Sequence, residues 1–344
     1  MSKTDIIKFE ASTSEWVVEP YSKDEKFALK IKEIIFQGSS SFQTIELYDT
    51  YTQGKVLFLD GCMQMAEYDE FVYHESLCHP ALIHHPNPER VCILGGGECF
   101  TAREVLRHKS VKYVCMADID EMVIDVCRNH LHNGKEVFAD PRLEIIIGDA
   151  AEVLEKQGKF DVIISDLPDP YAGGPCFELY TKEFYQNLIE NNLTEEGIFV
   201  TQSHRIGLYE EDNKVFASIN NTLEKVFPQV ISYKVHIISF LEEYGFNLGF
   251  KSPQKLIDSI TFDRLLESKI KGDLKYINGE AWSGMTKLNK IIRKYLDEET
   301  KIYTTSQPPN IILGEHISAF STTKKTTNSN SSLPVLDSEI NRQR

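Results

Sequence analysis

Three things are scarce in this 344-residue chain. Basic residues are outnumbered, 37 Lys and Arg against 52 Asp and Glu, for a formal net charge of -15. A surface of that sign disfavours non-specific contact with nucleic acid and suits small cationic ligands. Long apolar runs are missing, since none approaches the roughly 18 to 20 residues that a membrane span requires. The opening "MSKTDIIKFEASTSEW" also lacks the apolar core of a signal peptide. Cysteines at metal or redox spacing are absent: the seven are scattered without CxxC or CxxH, and the ten histidines show no two-plus-two ligand pattern. The expectation is a cytoplasmic protein with free thiols, no metal site, no nucleic-acid partner and no membrane contact.

What is present can bury a sizeable core, with 41% of residues hydrophobic. Residues 1–14 read as a flexible leader. Residues 15–70 alternate in short runs such as "FALKIKEIIFQ" and "SFQTIELYDT", with "DTYTQGK" a hairpin loop, which predicts a small antiparallel β-unit. At "DEFVYHESLCHPALIHH" the period becomes helical, with Phe71, Leu77, Leu82 and Ile83 near one side. From there to about residue 316 strands and helices alternate, as in "RVCILGG", "FTAREVLRH", "VKYVCMADI" and "EMVIDVCRNHL". That alternation predicts an α/β domain with a doubly wound, mostly parallel sheet. The polar, low-complexity residues 317–344 read as a disordered tail.

In such sheets ligands bind beyond the carboxyl ends of the strands. "VCILGGGECF" gives a strand, three glycines (Gly95, Gly96, Gly97) and Glu98. It is not a full GxGxxG, and the carboxylate of Glu98 would repel a pyrophosphate while welcoming an ammonium group. The next strands end in Asp118, at the spacing where an acid takes ribose hydroxyls, and in Asp149. "FDVIISDLPDPYAGGPC" supplies Asp166 and Asp169, with Pro168 and Pro170 forbidding a helix between them. Each acid taken singly reads equally as a helix N-cap. Taken together beside a glycine turn, they point to a nucleoside and a cation in one site: an adenosyl sulfonium and an amine.

The stretches "LDGCMQMAEYDEFVYHE", "GGGE", "GDA" and "DLPDP…GGPCFELYTKEFYQNL" resemble the aminopropyltransferases, the spermidine and spermine synthase family. "QTIELYDT", "GGPC", "LYTKEFYQN" and "GIFVTQ" are most similar to its plant-type thermospermine synthase branch. The resemblance implies a Rossmann-like sheet of the class I methyltransferase type behind the β-unit. It implies transfer of an aminopropyl group from decarboxylated S-adenosylmethionine, a co-substrate rather than a tightly bound cofactor, to a polyamine, with methylthioadenosine released. It assigns Gln43, Gln64, His74, Gly95, Gly97, Glu98, Asp118 and Asp149 to the donor. Tyr73, Asp166, Asp169 and Gln202 go to the acceptor, with Asp166 taking the amine proton, Tyr73 orienting the nitrogen and Asp169 anchoring a second one. A homo-oligomer, dimer or tetramer, is implied as well.

A carboxylate near pKa about 3.9 cannot readily strip an ammonium near about 10.4. The donor's sulfonium lowers the amine pKa by like-charge repulsion, and Asp166 accepts the proton as the N–C bond forms. The sequence departs from the family at Cys99 and Phe100, which follow "GGGE" and put a side chain and bulk at the donor edge. After Gln202 the branch has small residues, whereas here His204 and Arg205 follow. Arg205 either faces the acceptor, or points to solvent or pairs with an acid. Glu242 and Glu243 of "SFLEEYGFNLGF" would hold amines. Asp120 and Glu121 read as a solvated helix start, and Cys62, Cys78 and Cys176 as small apolar fillers. The rivals are an amine N-methyltransferase using intact S-adenosylmethionine and an inactive homologue that binds polyamine or nucleoside.

Overall fold

A computed structural model describes residues 16–20, 25–131, 136–170, 174 and 176–311. The expected leader (1–14) and tail (317–344) lie outside them. β1 (Trp16–Pro20), β2 (Lys26–Ser39), β3 (Thr44–Thr50), β4 (Gly54–Leu59) and β5 (Cys62–Ala66) form one antiparallel sheet in chain order. Its turns follow local chemistry. Gly54 closes the β3–β4 hairpin at φ 67°. Asp60 and Gly61, at φ 50° and 77°, turn β4 into β5, as the Asp-Gly pair of a primed turn does.

The second sheet has seven strands: β6 (Arg90–Gly95), β7 (Tyr113–Asp118), β8 (Leu143–Ile147), β9 (Phe160–Asp166), β10 (Leu193–Ile206), β11 (Gln229–Ile237) and β12 (Glu242–Phe250). Their order is β11-β12-β10-β9-β6-β7-β8. The five from β8 to β10 are parallel, and β12 and β11 add an antiparallel edge, so the sheet is mixed. Helices α1 (Glu70–His84), α2 (Phe100–Leu106), α3 (Glu121–His130), α4 (Ala150–Gln157), α5 (Lys182–Asn187) and α6 (Glu210–Glu224) connect the strands. α7 (Ser259–Lys269), α8 (Gly279–Met285) and α9 (Lys290–Glu298) follow.

Strand order reverses at β6, which pairs β7 on one side and β9 on the other. This switch point opens a crevice between their carboxyl ends, where Gly95 lies opposite Asp166. Apolar residues fill both faces of the sheet: Ile93, Ile164 and Val200 on one, Leu94, Ile163 and Phe199 on the other, all fully buried. Helix α1 is not the one-sided helix its period suggests. Every residue from His74 to His84 is buried, because α1 is wedged between the sheet and the helices around it.

The antiparallel unit is tied down beside the crevice. Ile45, Leu47, Leu57 and Met65 pack against Phe100 and Val123. Two polar ties reinforce this: Ser40 Oγ and Gln43 Nε2 donate to Asp120 Oδ2 at 2.6 and 2.9 Å. Asp120 is therefore not a solvated helix start. It is 1% exposed and caps α3 through the Met122 N–H.

Candidate active site

Every residue that the sequence assigns to the site, Glu243 excepted, lines one cavity of about 440 Å³ in the crevice. The glycine turn makes the close approach possible. A Cβ on Gly95, at φ 81°, would sit 2.3 Å from the Asp166 carbonyl oxygen, and one on Gly97 would sit 2.9 Å from Asp118 Oδ2. Cys99 takes φ 66°. That left-handed conformation costs a residue with a side chain about 1–2 kcal/mol. Its sulfur is turned inward, 3.7 Å from Met116 Sδ. Phe100 is not at the donor edge either: it is 1% exposed beneath the β-unit, its ring against His74.

At the expected donor end, α1 delivers His74. Its Nδ1 lies 2.6 Å from the Glu70 carbonyl and 3.0 Å from Glu70 Oε2, and its Nε2 lies 3.1 Å from Glu98 Oε1. Arg103 fixes Glu70 through two bonds of 2.9 and 2.7 Å. Burial opposes charge on His74, but the bonds to Glu70 and Glu98 prevail and push it up to about 10. Asp118 accepts the Asp120 N–H at 2.9 Å; burial, with Glu98 nearby, pushes its carboxyl up to about 6. Asp149 is exposed and caps α4, as a helix-start acid would, while also facing the cavity. Gln43 is anchored on Asp120, and Gln64 donates to the Cys62 carbonyl at 3.2 Å.

His74, Glu98 and Asp166 bring ligand atoms within 4.8 Å of one another, a spacing that suits a metal as well as an ammonium. Two of the three are carboxylates, whose oxygens accept from an ammonium as readily as they ligate a metal.

At the expected acceptor end, β9 delivers Asp166. Tyr73 donates to Oδ1 at 2.9 Å and Thr101 to Oδ2 at 2.6 Å. Burial, reinforced by Glu98, still pushes Asp166 up to about 6. Burial and the adjacent Asp166 hold the Tyr73 hydroxyl well above its usual range, so it remains a donor. Asp169 goes the other way. Burial would raise it, but His204 and Gln202 hold it below the ordinary carboxylate value. Two carboxylates three residues apart are thus separated in basicity, the arrangement by which sites divide a base from an anchor.

Gln202 is committed within the protein. Its Nε2 reaches the Leu167 carbonyl, Tyr180 Oη and Asp169 Oδ1 at 2.8, 3.0 and 3.2 Å, and its Oε1 accepts the His204 N–H. It shapes the Asp166–Asp169 loop at least as much as it faces the cavity. Arg205 is paired: Nε lies 3.2 Å from Asp212 and Nη1 3.4 Å from Glu242. Glu242 faces the cavity and is pushed up to about 8 by burial and by Glu19. Glu243, its neighbour on the strand, points to the other face and pairs with Lys234, so it is not part of the site.

Sequence reading missed Glu19, Thr101, Asp212 and Tyr244. Glu19 Oε1 accepts the Met63 N–H at 3.0 Å in the cavity wall, and burial pushes its carboxyl up to about 7. The one signal for it was an acid inside the apolar strand "WVVEP". Tyr244 stands 6.2 Å from the Tyr73 ring and adds an aromatic wall.

Known proteins resemble the chain across both sheets. Residues 70–262 match the spermine/spermidine synthase domain, and residues 15–67 match the spermidine synthase tetramerisation domain. The chain is 41% identical to thermospermine synthase ACAULIS5 of Arabidopsis thaliana over 88% of its own length and 89% of that protein's. It is 39% identical to a polyamine aminopropyltransferase of Aeropyrum pernix, covering 84% and 93%. A crystal structure of a spermidine synthase in complex with the transition state analogue AdoDATO superposes with a TM-score of 0.76 at 32% identity, covering 85% of this chain and 98% of that one. The spermidine synthase of Thermotoga maritima superposes with a TM-score of 0.74 at the same identity and coverage. The chain belongs to the spermine/spermidine synthase family of aminopropyltransferases.

Proposed function

We propose that this enzyme transfers the aminopropyl group of decarboxylated S-adenosylmethionine to spermidine, giving thermospermine or spermine and methylthioadenosine. The observation that carries the reading is Asp166, a half-buried carboxylate of raised basicity, held by Tyr73 and Thr101 beside the His74–Glu98 pair. The acceptor nitrogen attacks the methylene carbon next to sulfur. The C–S bond breaks, its electrons return to sulfur as a neutral thioether, and the amine proton passes to Asp166. Tyr73 aims the nitrogen, and Asp169 anchors the rest of the acceptor.

Gln43, Gln64, Asp118 and Asp149 surround the nucleoside in this reading, and Glu98 with His74 takes the donor's own ammonium. That acidic wall disfavours the α-carboxylate that intact S-adenosylmethionine would bring. The N-methyltransferase rival relied on Cys99 and Phe100 altering the donor edge, and both are turned into the core. The donor is a co-substrate, and no resident cofactor is invoked.

We further place residues 15–70 and 71–316 as a β-unit and a catalytic domain, and assign homo-oligomerisation to the former. The match to a tetramerisation domain supports this, and light scattering on the purified protein tests it. No described helix is long and apolar enough to cross a membrane. Mass spectrometry of products tests the activity, with each donor supplied separately alongside putrescine or spermidine. Gain of an aminopropyl unit with the decarboxylated donor is the expected result; a single added methyl from S-adenosylmethionine overturns it.

A further inference from the structure

At Gln202 the β10 ladder with β12 loses its register and does not resume until Arg205. This bulge places His204 at φ 75° and turns its ring into the cavity wall, 4% exposed. A strand in plain alternation would not hold it there. His204 Nδ1 lies 2.8 Å from Asp169 Oδ2, and Nε2 lies 3.3 Å from Asp212 Oδ1. Only the Asp212 contact has hydrogen-bond geometry, but a buried ring within ion-pair distance of two carboxylates is favoured in its charged form.

We propose that His204 is a resident cation on Asp169, filling the place of a substrate ammonium and thereby selecting acceptors by the charge they bring to that carboxylate. The inference rests on the amine-acceptor reading above.

The surroundings favour a charged ring. Burial opposes the charge, but Asp169 and Asp212 prevail and push His204 up to about 9. Arg205, next on the strand, adds a second fixed cation held by Asp212 and Glu242. Cys176 and Tyr180 bear on Asp169 from the segment after β9, and burial pushes both upward, so neither supplies a competing anion. Glu19 from β1 and Glu242 from β12 also line the cavity, each raised by burial, with Arg205 acting on both.

An ammonium brought to Asp169 meets a positive charge already there. One proton must leave, from the ring or from the incoming amine, and it goes to the solvent. A methylene segment beside Asp169, with the next nitrogen further along towards Glu19 and Glu242, avoids that cost.

Calorimetric titration of the full-length enzyme with spermidine, in the presence of methylthioadenosine and in two buffers of different ionisation enthalpy, counts the protons released. Asn tolerates the left-handed backbone, so His204→Asn removes the charge while keeping the turn. The wild type should release about one proton more per amine than His204→Asn. His204→Asn should also lower the spermidine KM about tenfold with a smaller effect on kcat, the scale of one relieved like-charge contact. Asp212→Asn keeps the ring but loosens its proton, and should shift both readouts the same way by less. Equal proton release and unchanged KM in all three proteins would overturn the inference while leaving aminopropyl transfer intact. Absence of aminopropylated product from the wild type with either amine would sink the reading beneath it.

Discussion

At the proposed donor end of the cavity Glu98 meets one protonated partner, His74, and that ring is locked from behind by Glu70 and Arg103. At the proposed acceptor end Asp169 also meets an imidazolium, but His204 is held by a second acid on the cavity wall and followed by Arg205. Both pairings place an imidazolium between two carboxylates, but Glu70 is itself paired with Arg103 away from Glu98, whereas Asp212 and Arg205 line the cavity with His204. In the reading proposed above, the first contact of about 3 Å stands behind the ligand and the second stands in its place.

The largest expected effect breaks the comparison at its centre. Asp166→Asn should lower kcat by about 10²- to 10⁴-fold, the usual worth of a positioned base, with donor binding retained in calorimetry. Loss of less than tenfold would mean that the proton leaves by another route. Next is the donor-side lock. Glu70→Gln breaks a buried pairing with Arg103 and His74, and should cost about 3–5 kcal/mol in denaturant unfolding as well as raise the donor KM.

The pH dependence separates the two carboxylates. Asp166 must be ionised to accept a proton and titrates near 6, so kcat/KM should fall about tenfold per pH unit below that point. Asp169 is held low and should contribute no limb in the same range.

A smaller effect sharpens the acceptor side. Glu242 is raised from 4.5 to about 8. Below 4.5 the group is protonated whether the chain is folded or not, and its full contribution is present. That contribution to the ligand-free protein is lost as pH rises from there through about 8. Glu242→Gln removes the loss and should raise Tm by a few degrees near the top of that range, measured without amine. A fall in Tm would show that Arg205 depends on the charge. Smallest is Phe100→Leu, expected to cost about 1 kcal/mol of stability with the donor KM unchanged, since the ring lies under the β-unit.

The sequence by itself determined the alternation of strands and helices, the "DTYTQGK" hairpin of the β-unit, the glycine turn after β6 and the acids at the strand ends. These are short-range matters: a period of two or 3.6, a residue that tolerates positive φ, a proline that forbids a helix. Tertiary structure alone decided what the acids became. Asp166 and Asp169 share one loop and the same local chemistry, yet one is pushed up beside Glu98 and the other held down by His204, 35 positions further along the chain. Glu19 reaches the cavity only because the β-unit docks over α2 and α3, and Phe100 leaves it for the same reason. Which of Glu242 and Glu243 faces the ligand depended on the register of β12 against β10. Burial and charge pairing are set by partners distant in sequence, and no local pattern encodes them.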